Sequence, residues 1–166
     1  MQHLGAPSED RPRNATQRLE ESSLRPLLPD QSRRLSTPLY VQFPKQNVLA
    51  VGDVMTGEGW PDIDYWTGGW IGGIVGALQR LQTLADADTK IVPARGPVLG
   101  LAELKAQAEM YGTIYDRLSQ LLNRGRGPSE AVAAKPTKEF DAQMGNPDEF
   151  VHRAFESLWA YLSPDA

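Results

Sequence analysis

The chain has 166 residues, a formal net charge of −4 and 40% hydrophobic residues, which suits a single domain with a real core and gives no electrostatic case for binding nucleic acid. It contains no cysteine, so disulfides and thiolate metal ligands are excluded. No apolar run approaches a membrane span and the N-terminus lacks a secretory pattern, so the chain as written is expected in the cytoplasm, while a longer parent could be exported.

Residues 1–38 are rich in Arg, Glu, Ser, Pro and Gln and poor in aromatic residues. Such a segment buries too little apolar surface to offset its ordering entropy, so it reads as a polar, mostly disordered tail. Spacing within Thr16 to Leu24 allows a short helix. Asn14-Ala15-Thr16 matches a glycosylation acceptor but has no export signal to make it one.

The domain proper is expected over 39–166. Two β-rich runs, 39–43 and 48–52, flank Pro44-Lys45-Gln46-Asn47 and read as a hairpin. Gly52 gives the backbone freedom to turn, and Asp53 follows at the strand's C-terminal end. From Met55 to Trp70 the chain is too glycine-rich for a helix, yet it holds Trp60, Trp66 and Trp70. Loops of this length tend to be functional.

Apolar positions from Ile71 to Leu84 fall at helical spacing, with Gly72, Gly73 and Gly76 permitting close approach to a sheet. Asp86 and Asp88 read as a turn and cap before a strand at 90–93. The longest helix is expected over 101–123, stopped by Gly125 and Gly127, and a short one follows at 128–134. Asn146 reads as the N-cap of the last helix, with Pro147 in its first position and Glu149 completing a capping box. The elements predict an α/β layer, a mixed sheet whose one face is covered by the helices at 70–84 and 101–123.

The order of strand, turn, strand ending in Gly52-Asp53, aromatic loop, helix, short strand and Ala94-Arg95-Gly96-Pro97 resembles the C-terminal half of the metallo-β-lactamase superfamily of zinc hydrolases. Phe43-Pro44-Lys45-Gln46-Asn47-Val48-Leu49 before Gly52-Asp53 carries the most weight. The resemblance implies an αββα fold with two sheets between helices, of which this chain supplies a partial layer, and zinc as the cofactor. It places Asp53 at the position that bridges two metal ions and Arg95 where the family's last metal-binding histidine belongs.

The chemistry implied by that family requires a His-x-His-x-Asp-His cluster, because neutral imidazole is the usual nitrogen ligand for zinc. This chain has two histidines, His3 and His152, and neither falls at a family ligand position. A guanidinium has no lone pair for a metal, so Arg95 is expected to pair with Asp53 or to hold an anionic group. Glu58, Asp62 and Asp64 of the loop, with Trp60, Tyr65, Trp66 and Trp70, are candidates to line a pocket that also takes in Arg95, with carboxylates for orientation and aromatic faces for an apolar ligand.

Two functional readings follow. One is a metallo-β-lactamase-like metal-dependent hydrolase fold represented by its C-terminal half and inactive alone, acting on a small-molecule substrate only if completed. The other is a metal-free binding or structural module on the same scaffold. Zinc is not expected to be retained by this chain alone. The sheet face opposite the helices is expected to be apolar and uncovered, favouring self-association or a complementary N-terminal half.

Overall fold

The protein is described here by a computed structural model covering residues 23–26 and 39–162. A four-stranded mixed sheet has the order β1 (Ser23–Pro26), β2 (Leu39–Phe43), β3 (Val48–Gly52) and β4 (Lys90–Pro93). Pairing is antiparallel from β1 to β2 and from β2 to β3, and parallel from β3 to β4. The β2–β3 connection is a 3-10 turn, Pro44–Gln46, with Pro44 supplying a preset φ at its start. Asn47 closes that turn in the left-handed conformation, φ 52°, one that asparagine tolerates better than most residues. A parallel pair needs a crossover, and helix α1 (Ile71–Gln82) provides it.

Four more helices follow: α2 (Leu101–Asn123), α3 (Pro128–Ala133), α4 (Asp141–Met144) and α5 (Asp148–Leu162). The Glu103 carboxylate accepts from the Gly100 amide at 2.9 Å and so caps α2, as Glu130 caps α3 through the Gly127 amide at 2.9 Å. Gly125, at φ 70°, ends α2 by turning the chain where a side chain would be strained.

Alternation along the strands sends Tyr40, Leu49, Val51 and Ile91 to one face, all buried. They meet Ile71, Leu78 and Leu81 of α1, Leu104, Tyr111, Ile114 and Leu118 of α2, and Phe155 and Leu158 of α5 in one core. Each fully buried Leu or Ile contributes about 1.5–3 kcal/mol relative to exposure. The opposite face carries Val41, Phe43, Val48 and Ala50, all partly exposed, and Val92, which is 37% exposed. The register stacks these as neighbours, Val41 opposite Ala50, Phe43 opposite Val48 and Ala50 opposite Val92.

The strands at 39–43, 48–52 and 90–93 and the helix at 101–123 coincide with the boundaries expected from sequence, while α1 is shorter at both ends. Four details differ. Ser23–Pro26 pairs with β2 as a strand, so Ser23 and Leu24 do not belong to a helix, and β1 adds order to a segment read as tail. The rest of 1–38, including Asn14 and His3, lies outside the described residues. Gly72 and Gly73 make room for the Trp70 ring rather than for the sheet: a Cβ built on Gly72 would stand 2.2 Å from that ring. Asn146 does cap α5, its Oδ1 accepting from the Asp148 amide at 3.1 Å, but Glu149 turns outward to Arg153 at 2.7 Å instead of completing a capping box. Finally, α4 was not anticipated, being one turn with no apolar period to read.

A bidentate pair joins Arg117 of α2 to Glu139, at 2.8 and 2.6 Å, and Arg117 also donates to the Pro136 carbonyl at 2.6 Å. The guanidinium holds the Glu139 carboxyl down to a pKa of about 2. This clamp fixes the segment between α3 and α4 against α2.

Candidate functional site

Parallel strands β3 and β4 end side by side, and the loops leaving their C-terminal ends form the place where open α/β sheets commonly hold ligands. Gly52 at φ 56° turns the chain into Asp53. The Ala94 amide donates to the Gly52 carbonyl and the Gly57 amide to the Arg95 carbonyl, both at 3.0 Å. Gly57 and Gly96 then meet backbone to backbone. A Cβ on Gly96 would lie 2.7 Å from the Gly57 Cα, and Gly96 itself has a φ of 89°. Only glycine fits both demands.

This junction brings Asp53 and Arg95 together, with Arg95 Nε 4.0 Å from Asp53 Oδ1. Their side chains are 68% and 52% exposed, so the attraction acts largely through water and contributes little to stability. The pair leaves carboxylate oxygens and guanidinium N–H groups facing solvent, where they can take a polar or anionic group. For zinc the fit is poor: Asp53 supplies one oxygen ligand, and Arg95 offers no lone pair and a positive charge. Among the described residues, no group of three or more His, Asp or Glu side chains is placed to hold a metal ion.

The aromatic loop begins well anchored. Gln107 of α2 grips both backbone groups of Thr56, accepting from its amide at 3.3 Å and donating to its carbonyl at 2.5 Å. The Thr56 hydroxyl donates to the Gly59 carbonyl at 2.8 Å. Beneath the loop, burial pushes the Tyr111 phenol well above its usual pKa, and its hydroxyl, near Thr56, has no well-formed hydrogen bond.

The loop residues proposed from sequence to line a pocket are divided by the structure. Trp60 turns inward, stacking on Phe150 of α5 with centroids 4.6 Å apart, and its Nε1 donates to the Gly145 carbonyl at 3.0 Å. Glu58 and Asp62 face solvent. Asp64 Oδ2 accepts from the Thr67 hydroxyl at 3.0 Å, bracing a 3-10 turn at Tyr65–Thr67. Trp70 stacks on Tyr161 near the end of α5, with centroids 3.6 Å apart. Trp66, 84% exposed, leans on Tyr65 with ring centroids 4.8 Å apart.

Trp66 does line a cavity, though one on the α5 side of the loop rather than beside Arg95. A groove of about 680 Å³ runs between the Tyr65–Thr67 turn and α5, walled by Ile63, Tyr65, Trp66, His152, Arg153 and Glu156 among others. His152 Nδ1 stands 3.4 Å from Glu156, one helical turn along the same helix. Sequence reasoning found Tyr65 and Trp66 but not their partners on α5, because the only local signal there was a mixed-charge stripe of the kind most exposed helices carry. No protein-family model matches the chain, and a comparison with curated proteins finds none similar to it.

Proposed function

We propose that residues 39–162 form the C-terminal part of a metallo-β-lactamase-like domain, with Asp53 at the metal-bridging position and Arg95 in place of the last histidine ligand. In these 166 residues that arrangement is inactive as a hydrolase and works as a metal-free binding or structural module. One observation carries this reading: the 4.0 Å approach of Arg95 to Asp53 at the C-terminal ends of the parallel strands. The guanidinium puts a positive charge where the family's second ion would sit, so zinc and arginine compete for the same carboxylate.

Two further features support the scaffold assignment. The hairpin, crossover helix and fourth strand deliver Gly52-Asp53 and Ala94-Arg95-Gly96 to one edge, in the order the resemblance requires. The sheet face bearing Val41, Phe43, Val48, Ala50 and Val92, with Lys90 beside Val48, is largely apolar and incompletely covered among the described residues, which suits a fold that places a second layer there. That face is the expected surface for a complementary half or a second copy of the chain.

Elemental analysis after incubation with zinc and desalting tests the site. Well under one equivalent is expected, with no hydrolysis of lactam, lactone, thioester or phosphoester substrates above background. Arg95→His is expected to leave both results unchanged, since it restores one ligand of several. Stoichiometric zinc, with hydrolysis abolished by Asp53→Ala, would overturn the proposal. Sedimentation velocity tests the sheet face: a dimer or larger species is expected, and Val92→Lys should shift it toward monomer.

A further inference from the structure

We propose that the groove between the Tyr65–Thr67 turn and α5 is a binding site for a small organic cation, a quaternary or protonated amine carrying an apolar group. It is separate from the Asp53–Arg95 junction and stands whatever the zinc experiment returns. The first argument is shape. Its volume, about 680 Å³, falls within the range of small-molecule sites, and Ile63 and Val132 give it an apolar floor.

Charge supplies the second argument. Three carboxylates, Asp148, Glu149 and Glu156, line the groove against one guanidinium, Arg153. Arg153 is held by Glu149 at 2.7 Å, and the Asp148 carboxylate has no ion pair among the described residues. The lining thus keeps an excess of carboxylate charge to attract a cation, with Asp148 unpaired among the described residues and Glu156 standing beside His152 and the Tyr65 hydroxyl.

The third argument is the aromatic pair. An indole left 84% exposed is unusual in a protein that buries Tyr40, Tyr111 and Phe155 completely. It is propped on Tyr65 at 4.8 Å instead of collapsing onto the core. Tyr65 is itself fixed toward α5, where partial desolvation and then the neighbouring Glu156 charge raise its pKa. Aromatic faces beside carboxylates attract cations through the ring quadrupole, and the attraction grows as the ligand loses water.

Titration of the full chain with benzyltrimethylammonium, followed by the indole N–H resonances, tests the site, with 2-phenylethanol as the uncharged comparator and phenylacetate as the anionic one. The cation should shift the Trp66 resonance saturably, the alcohol should bind at least about threefold more weakly, and the anion should not bind. Trp66→Ala should weaken cation binding about tenfold and Glu156→Gln about threefold. Trp66 is exposed and Glu156 partly so, and circular dichroism should confirm an unchanged fold for both variants. Equal binding of alcohol and cation, a Trp66→Ala variant with undiminished affinity, or absence of any saturable shift would each overturn the proposal. Saturation by an oligolysine peptide that persists in Trp66→Ala would instead assign the face to a basic protein partner and overturn it too.

Discussion

The two ends of the parallel β3–β4 pair each carry an aspartate, and they use it in opposite ways. At the entry end, Asp86 Oδ1 accepts from the Asn47 side chain at 2.8 Å, from the Asp88 amide at 2.9 Å and from the Thr89 hydroxyl at 3.0 Å. The Lys90 amide donates to the Asn47 carbonyl at 3.0 Å, so the hairpin turn and the turn before β4 are knotted together. These donors, led by Asn47, hold the Asp86 carboxyl below its ordinary pKa. At the exit end, Asp53 has one distant cation and open solvent. A carboxylate whose Oδ1 gathers several local donors serves the fold, while one delivered to a strand end and left under-coordinated is available to a ligand.

Four measurements sharpen or break that contrast, in order of expected size. Gly96→Val places a branched Cβ at a φ of 89° and 2.7 Å from the Gly57 Cα. It should cost about 3 kcal/mol in urea unfolding, whereas Gly52→Ala, strained at φ 56° but with nothing within 4 Å, should cost only about 1 kcal/mol. A comparable loss at both glycines would mean that strain alone, not the contact between the loops, governs the exit end.

Thr89→Val comes next. Thr89 is 3% exposed, and its hydroxyl links the Asp86 amide, the Asp86 carboxylate and Asn47 Oδ1. Losing it should destabilise the protein by about 1–2 kcal/mol. A neutral result would show that the entry-end knot is not stabilising.

The third is pH. Asp86 and Glu139 both have pKa values lowered by folding, Glu139 to about 2 through Arg117. A depressed folded pKa gives stability that is fully present above the unfolded value, near 4.5 for glutamate, and is lost as pH falls toward the folded one. Thermal melts should therefore decline from about pH 4.5 to pH 2, and Glu139→Gln should flatten part of that decline. An unchanged profile would remove the Arg117 clamp from the account.

Smallest of all is Asp53→Asn, which should leave the melting temperature within error of wild type at low and high salt alike. A loss as large as that of Thr89→Val would erase the contrast between the two ends.

Much of the fold was legible because its signals are local. The short β-rich runs Leu39–Phe43 and Val48–Gly52, the proline and asparagine between them and the long apolar stripe of α2 each specify an element without help from distant residues. β1 was not legible, because four residues in a polar, proline-rich setting become a strand only by pairing with β2. At the site, the approach of Arg95 to Asp53 was one of two expected alternatives, the other being that Arg95 holds an anionic group. The separation of Trp60 from Trp66 was not anticipated, since the two indoles stand six residues apart with opposite environments fixed by α5. Contacts such as Trp60 to Gly145, spanning 85 residues, leave no trace in local pattern.

That last contact has a consequence for how the protein comes into being on the ribosome. The loop that follows Asp53 is latched by a donor bond from Trp60 to Gly145, 85 residues further on, and by stacking on Phe150 of α5. While the hairpin, crossover helix and fourth strand emerge, the indole of Trp60 has nothing to rest against, and the residues around Asp53 are exposed to solvent, chaperones and proteases. Translation must run past Gly145 and Phe150 before that loop acquires its final shape. A nascent chain stalled short of Gly145 should accordingly present a protease-sensitive segment between Val54 and Trp70 that closes only when α5 clears the exit tunnel.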